Sequence, residues 1–281
     1  MDVDPEPATR LPLISAEELL LCLDDVTVLD VRYRMGGPPG RQEYAAGHVP
    51  GSTYVALDAD LAEQPSRPVD ERGRHPLPIP ARFVDAMQRV GVGREMTVVV
   101  YDDWQGRAAC RAWWLLRHYG HRDVRVLDGG WAAWVASGGE VGIGEHAPER
   151  GDFGGSPGSM PVVDADDLCA VSVVVDARAP ERYCGQTEPL DRVAGHVPGA
   201  VNVETARNLD DHGRFREAAD LRALYAGVGA IDGVSVAAYC GSGVTATHDI
   251  LAMEVAGIRA ALFAPSWSGW VSDPDREVAR G

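Results

Sequence analysis

Two tandem α/β units, each a mostly parallel sheet flanked by helices, are predicted by three features of this 281-residue sequence. Short apolar strand-like runs alternate with stretches of helical apolar spacing, as strand–helix–strand crossovers require. The alternation happens twice, because four landmarks of the first half return in the same order in the second. The length, finally, leaves each half enough chain to bury a core of its own.

The landmarks are specific. Val28-Leu29-Asp30-Val31-Arg32 returns as Val174-Val175-Asp176-Ala177-Arg178, and Tyr44-Ala45-Ala46-Gly47-His48-Val49-Pro50-Gly51-Ser52 as Arg192-Val193-Ala194-Gly195-His196-Val197-Pro198-Gly199-Ala200. Val98-Val99-Val100-Tyr101-Asp102 returns as Val236-Ala237-Ala238-Tyr239-Cys240, and Gly130-Trp131-Ala132-Ala133-Trp134 as Ser266-Trp267-Ser268-Gly269-Trp270. The offset is about 146 residues near the start and about 136 near the end, far longer than a solenoid unit, so it marks two similar domains.

Helical spacing runs over Ala16 to Leu23, Pro80 to Val90 and Ala108 to Tyr119 in the first half. In the second it runs over Ala165 to Ala170, Ala218 to Ala226 and Ala246 to Ala256. Val141 to Met160 is rich in Gly, Pro and charge with no apolar period, and reads as a linker. The expected boundaries are therefore 10–140, a linker at 141–160, and 161–281. His48 and His196 hold equivalent repeat positions, which predicts loop-fixing hydrogen bonds, not metal ligation. Asp30 with Arg32, and Asp176 with Arg178, are expected as repeated internal ion pairs. Trp131, Trp134, Trp267 and Trp270 are expected to pack domain edges, with Trp267 also a candidate pocket wall.

Chemistry concentrates at Cys240. Val236 to Tyr239 reads as a short buried strand, Cys240-Gly241-Ser242-Gly243-Val244-Thr245 as a small-residue loop, and Ala246 onward as a helix ended by Gly257. A strand, a tight loop and a helix N-terminus leave unpaired N–H groups pointing inward, an arrangement that holds anions. With a cysteine first in the loop, that anion is its own thiolate, a nucleophile for covalent chemistry on sulfur. Cys22, Cys110, Cys169 and Cys184 have no such loop and read as inert. Cys184, beside Arg182, is the one open to oxidation near the site.

Composition excludes several classes. A net charge of −16 argues against nucleic acid, and an anionic substrate would need a local cluster of arginines. No run of about 18 apolar residues is present, which removes a membrane-spanning helix. Met1 to Leu13 is acidic and proline-bearing, unlike a secretory leader. Five cysteines without a CxxC pair argue against a disulfide framework or a zinc site, and favour a reducing cytoplasm.

The paired halves, each with Asp-x-Arg, Gly-His-Val-Pro-Gly, a strand-borne loop and a Trp-x-x-Trp end, resemble the tandem-domain rhodanese family of sulfurtransferases over roughly Leu13 to Val278. In that family only the C-terminal domain carries the active cysteine; here Cys240 fills that place and Asp102 fills it in the first half. The loop closely matches the mercaptopyruvate version, whereas the thiosulfate version has basic residues directly after the cysteine. The resemblance implies a persulfide on Cys240, loaded from a small anionic sulfur donor and passed to a thiol, cyanide or protein acceptor. It implies no cofactor and no metal. The loop backbone at Gly241, Gly243, Val244 and Thr245 is expected to hold thiolate, persulfide and substrate.

By the same resemblance, Arg182 and Arg192 would bind the donor's anionic end, guanidinium forks being suited to carboxylates. Asp58, His75 and Ser242 would form a proton relay across the domain interface. Thr247 stands where the family prefers Cys, and Pro265 where Gly is usual. Mercaptopyruvate is the expected donor, with thiosulfate by the same persulfide route the alternative. A cysteine phosphatase is disfavoured, because its loop closes with a phosphate-clamping Arg where this chain has Ala246. A non-enzymatic sulfur- or redox-sensing module is the remaining, distant alternative.

Overall fold

The computed structural model describes residues 12–281, so most of the acidic start lies outside the described residues. The first unit runs β1 (Leu13–Ile14), α1 (Ala16–Cys22), β2 (Val26–Asp30), α2 (Gly40–Ala46), β3 (Thr53–Tyr54), α3 (Leu57–Asp60), α4 (Pro80–Arg89), β4 (Thr97–Tyr101), α5 (Ala109–His118), β5 (Val124–Leu127) and α6 (Gly130–Ala136). The second runs β6 (Val173–Asp176), α7 (Pro180–Tyr183), β7 (Val201–Asn202), α8 (Ala218–Ala226), β8 (Val236–Tyr239), α9 (Ala246–Val255), β9 (Ala261–Leu262) and α10 (Ser266–Trp270). The sheets have orders β1-β5-β4-β2-β3 and β7-β6-β8-β9, and every pairing is parallel. A single parallel bridge, Val162 to Leu262, stands in the second sheet where β1 pairs with β5 in the first.

Local sequence explains the elements. Ser15 and Glu18 form a reciprocal capping box on α1, satisfying two amides that the helix start would otherwise leave bare. Pro80 opens α4, whose Phe83, Ala86 and Met87 face the core. The central strands β4 and β8, flanked on both sides, are buried almost end to end, which is why they read as unbroken apolar runs. Helix α5 is apolar around nearly its whole circumference because it is also covered by α9 of the other unit. The stretch Ala165 to Ala170, expected as a helix, is only a 3-10 turn at Leu168–Ala170: Asp164 turns its carboxylate onto the amides of Asp166 and Asp167, and Val171 is already extended.

The repeated landmarks do one job twice. Arg32 bonds Asp30 at 2.7 Å, reaches the Gly47 carbonyl, and lies 5.0 Å over Trp131. Arg178 bonds Asp176 at 2.6 Å, reaches the Gly195 carbonyl, and lies 4.6 Å over Trp267. His48 stacks on Tyr44 and bonds its carbonyl at 2.9 Å; His196 does the same with Tyr183 at 2.8 Å. Each unit thus ties its strand end, its Gly-His-Val-Pro turn and its final tryptophan helix into one knot. Residues 141–160 contain no helix or strand and run along the first unit: Gly142 pairs with His48, and Phe153 is buried with its amide on Val92.

Candidate active site

Strand β8 delivers the chain to Cys240, the loop after it leads into α9, and the start of α10 holds Cys240 and Gly241 by hydrogen bonds. The Cys240 amide donates to Ser266 Oγ at 3.1 Å, while the carbonyls of Cys240 and Gly241 accept from the amides of Trp267 and Ser268. Gly243, at φ 78°, curls the loop back so that its N–H donates to Cys240 Sγ at 3.2 Å. The amides of Ser242, Val244 and Thr245 meet no acceptor among the described residues. The first unit shows the same loop with its anion built in: Asp102 Oδ1 accepts from Trp104 and Gly106, both at 2.8 Å, and Oδ2 from Ala108 and Ala109 at 2.7 and 2.8 Å.

Ser266 holds the loop's start at a conformational cost. It is a non-glycine residue at φ 54°, where Gly130 of the first unit sits at φ 57°. Its hydroxyl donates to Phe263 O at 3.0 Å while accepting the Cys240 amide. Replacing Ser266 with Ala keeps the backbone strain and strands a buried N–H. Stability should fall by about 1–3 kcal/mol, read as a lower urea midpoint at unchanged slope.

Cys240 is 2 % exposed and lies at the floor of a cavity of about 400 Å³ between the two units. Gly241, Ser242, Val244 and Thr245 line that floor. Arg182, on α7, is held by Glu188 (2.7 Å) and Asp191 (3.5 Å). Arg74, from the first unit, is paired with the same Asp191, and its backbone amide is fixed by Ser268 Oγ at 3.0 Å. Burial pushes the Asp191 carboxyl up, against the pull of Arg74. Arg182 Nη1 and Arg74 Nη2 form no hydrogen bond among the described residues. They lie 3.5 and 2.9 Å from where a Cβ on Gly241 would stand. Two anchored guanidinium groups therefore present free N–H donors beside the sulfur.

Arg192 is not brought to this cavity. Its guanidinium donates to the carbonyls of Val271 (2.9 Å) and Ser272 (3.3 Å), capping the end of α10. Arg74, from the first unit, lines the cavity beside Arg182 in its stead. Trp267 does not line the cavity either; it is buried under Arg178 with its indole N–H on Val193 O. Thr247 donates to Val244 O at 2.6 Å within the first turn of α9, and Pro265 leads into α10. The thiol of Cys110 is pushed up by burial, and Cys184 is partly exposed outside the cavity lining.

Asp58, His75 and Ser242 do converge. His75 Nδ1 is 2.7 Å from Ser242 Oγ, and His75 Nε2 is 3.2 Å from Asp58 Oδ1. A neutral imidazole donating from Nε2 to Asp58 leaves Nδ1 to accept the serine proton. The chain spans the interface to do this, since Asp58 and His75 belong to one unit and Ser242 to the other.

Three further residues complete the site. Arg107 lines the cavity and donates to Thr205 Oγ1 across the interface at 3.0 Å. Arg111, on α5, is fully buried and bonds Gly243 O at 3.0 Å. Ser266 holds the Cys240 amide, as described above. Only Arg111 leaves a signal in the sequence, as a lone charge amid Ala108 to Leu116, an otherwise apolar run. Among the described residues, no group of three or more His, Cys, Asp or Glu side chains is arranged to hold a metal ion, and no helix is long and apolar enough to cross a membrane.

Comparison with known proteins identifies the family. The Rhodanese-like domain family model matches residues 15–137 and again 164–273. SseB of Mycobacterium tuberculosis, provisionally named a thiosulfate sulfurtransferase, is 41% identical over 286 residues, covering 96% of this chain and 97% of its own. A Pseudomonas aeruginosa protein, provisionally named a 3-mercaptopyruvate sulfurtransferase, is 41% identical over 282 residues, covering 96% and 98%. The crystal structure of SseA from Escherichia coli, described as a 3-mercaptopyruvate sulfotransferase, superposes with TM-score 0.81 at 29% identity, covering 92% of this chain and 99% of that one.

Proposed function

The chain belongs to the Rhodanese-like family and is a sulfurtransferase, and on that premise we propose that it takes sulfur from 3-mercaptopyruvate onto Cys240 and passes it to a thiol, cyanide or protein acceptor. The Cys240 thiolate attacks the donor sulfur and the carbon–sulfur bond breaks. Its electron pair leaves as the pyruvate enolate. The donor thiol's proton must end on that carbon, giving pyruvate and the Cys240 persulfide. Attack of the acceptor on the outer sulfur then returns the thiolate. In this reading the unit 161–281 carries the nucleophile, the unit 10–140 supplies cations and the proton path, and Val141 to Met160 joins them.

The observation that carries the choice of donor is the Asp58–His75–Ser242 chain beside Cys240. Mercaptopyruvate cleavage moves a proton from sulfur to carbon, which a hydrogen-bonded relay assists. Thiosulfate cleavage expels sulfite, an anion that needs no proton at neutral pH, so a relay there would be idle. Arg182 and Arg74 would hold the donor carboxylate from their free N–H ends. Thiosulfate remains the second reading, favoured by the same pair of cations, which suits a sulfonate, and by the name of the Mycobacterium relative. The five free cysteines are consistent with a reducing compartment such as the cytoplasm.

Replacing His75 with Ala separates the donors. Turnover of mercaptopyruvate should fall by about a hundredfold or more, the usual worth of a positioned acid–base group, while the thiosulfate reaction stays near wild type. Steady-state kinetics with both donors and one acceptor decides. Equal losses on both would remove the relay, and a wild-type preference for thiosulfate would remove mercaptopyruvate as the donor.

A further inference from the structure

Arg111 is a buried cation without a carboxylate partner. It is 0% exposed, and its guanidinium donates only to carbonyls: Nη1 to Gly243 (3.0 Å), Nη2 to His75 (3.2 Å), and Nε with Nη2 to Leu61 (both 3.3 Å). Taking a lone guanidinium out of water is unfavourable unless some anion faces it. Burial pulls Arg111 down to about 10, and the acidic groups that oppose this are Cys240 and then Tyr119. Tyr119 donates to Pro78 O as a neutral phenol, and burial pushes it up. Gly243 joins the Cys240 sulfur to Arg111: its carbonyl accepts from Arg111 Nη1 at 3.0 Å and its N–H donates to Cys240 Sγ at 3.2 Å.

The bond to Gly243 O also fixes a direction. In a planar trans peptide the C=O and N–H point opposite ways, so drawing Gly243 O toward α5 turns the Val244 N–H away from it, and Val244 lines the cavity floor. The first unit's loop is one residue longer, so its left-handed Gly106 (φ 81°) is the counterpart of Gly243 (φ 78°): the Gly106 amide donates to Asp102 Oδ1 at 2.8 Å as the Gly243 amide donates to Cys240 Sγ at 3.2 Å. The next amide after Gly243, that of Val244, meets no acceptor among the described residues.

From these observations we infer that Arg111 is a positioning residue for sulfur transfer: from the first unit it fixes Gly243, whose N–H reaches Cys240 Sγ, turns the Val244 N–H away from α5, and places a buried positive charge behind the loop that carries Cys240. The inference rests on the persulfide reading, but its main test needs no sulfur donor. The other charged groups facing the sulfur are Arg74, His75, Arg107, Arg178, Arg182 and Glu204, and they stay constant across the variants.

Alkylation of Cys240 by iodoacetamide, resolved by peptide mass spectrometry, is followed against pH in wild type, Arg111→Met and Arg111→Lys, with thermal melting to verify folding. Without the charge, Arg111→Met should move the inflection upward by about one pH unit or more. Arg111→Lys keeps the charge and loses the fork, so its inflection should stay near wild type while persulfide formation slows about tenfold or more. A folded Met variant with the wild-type inflection overturns the inference, and so does a Lys variant with wild-type turnover. If Arg111→Met does not fold, the Lys variant decides. A wild-type protein that forms no persulfide would sink the functional reading, while the alkylation series would still judge the Arg111 charge.

Discussion

Replacing Cys240 with Ser should reduce sulfur transfer from either donor by at least about ten-thousandfold, because losing a covalent nucleophile removes the pathway and not one contribution to it. A serine hydroxyl remains protonated at neutral pH, and oxygen cannot form the sulfur–sulfur bond. The substitution is nearly isosteric: Ser266 Oγ still accepts the residue's amide, and the Gly243 N–H still finds an acceptor. Folding should therefore survive, so that loss of turnover is not loss of structure. Intact mass after treatment with donor supplies the decisive reading. Wild type should gain one sulfur that cyanide removes, and Cys240→Ser should gain none. A variant that still turns over at the wild-type rate would mean that the nucleophile lies elsewhere.

The second large effect is expected at Gly243, where two demands meet in one residue. At φ 78° the backbone sits in the left-handed region, and a Cβ would stand 2.3 Å from the carbonyl oxygen of Ala264, which is backbone and cannot turn aside. Gly243→Ala must therefore move the loop. Moving it withdraws the N–H that reaches Cys240 Sγ and shifts the carbonyl that Arg111 holds. Losing one such donor costs about 3 kcal/mol in the transition state, so kcat/KM should fall at least about a hundredfold. The strained conformation adds about 1–3 kcal/mol of lost stability. Kinetics and urea unfolding together separate the two contributions. Unchanged kcat/KM in a folded variant would show that this amide does not serve the reaction.

The outline of the molecule was open to reading because its determinants are local and stated twice. Asp30 and Asp176, His48 and His196, Trp131 and Trp267 each recur with the same neighbours, and each pair makes the same contacts. The Cys240 loop was legible for a related reason: strand, small residues and helix start are adjacent in the chain. What resisted reading was whatever depends on which loops face each other across the interface. Nothing around Arg74 says that it meets Asp191, 117 positions on, and nothing around Arg192 says that it turns to Val271. Arg111 was visible as an oddity, but its meaning lies in Leu61, His75 and Gly243, which come from distant stretches. Ala165 to Ala170 misled because a side-chain carboxylate competed with the helix for its first amides.

On the proposed reading, the carboxylate of Asp102 gives, in the first unit, a picture of what the Cys240 loop does for an instant in each cycle. Counting outward from Cβ, its Cγ corresponds to the Cys240 sulfur, and its oxygens to an atom one bond beyond. That outer shell is where a transferred sulfur would ride, and in the first unit four amides are already trained on it. On this view both loops suit a two-atom side arm ending in negative charge. Asp102 is that arm made permanent, and the persulfide proposed on Cys240 would be grown and shed at every turnover.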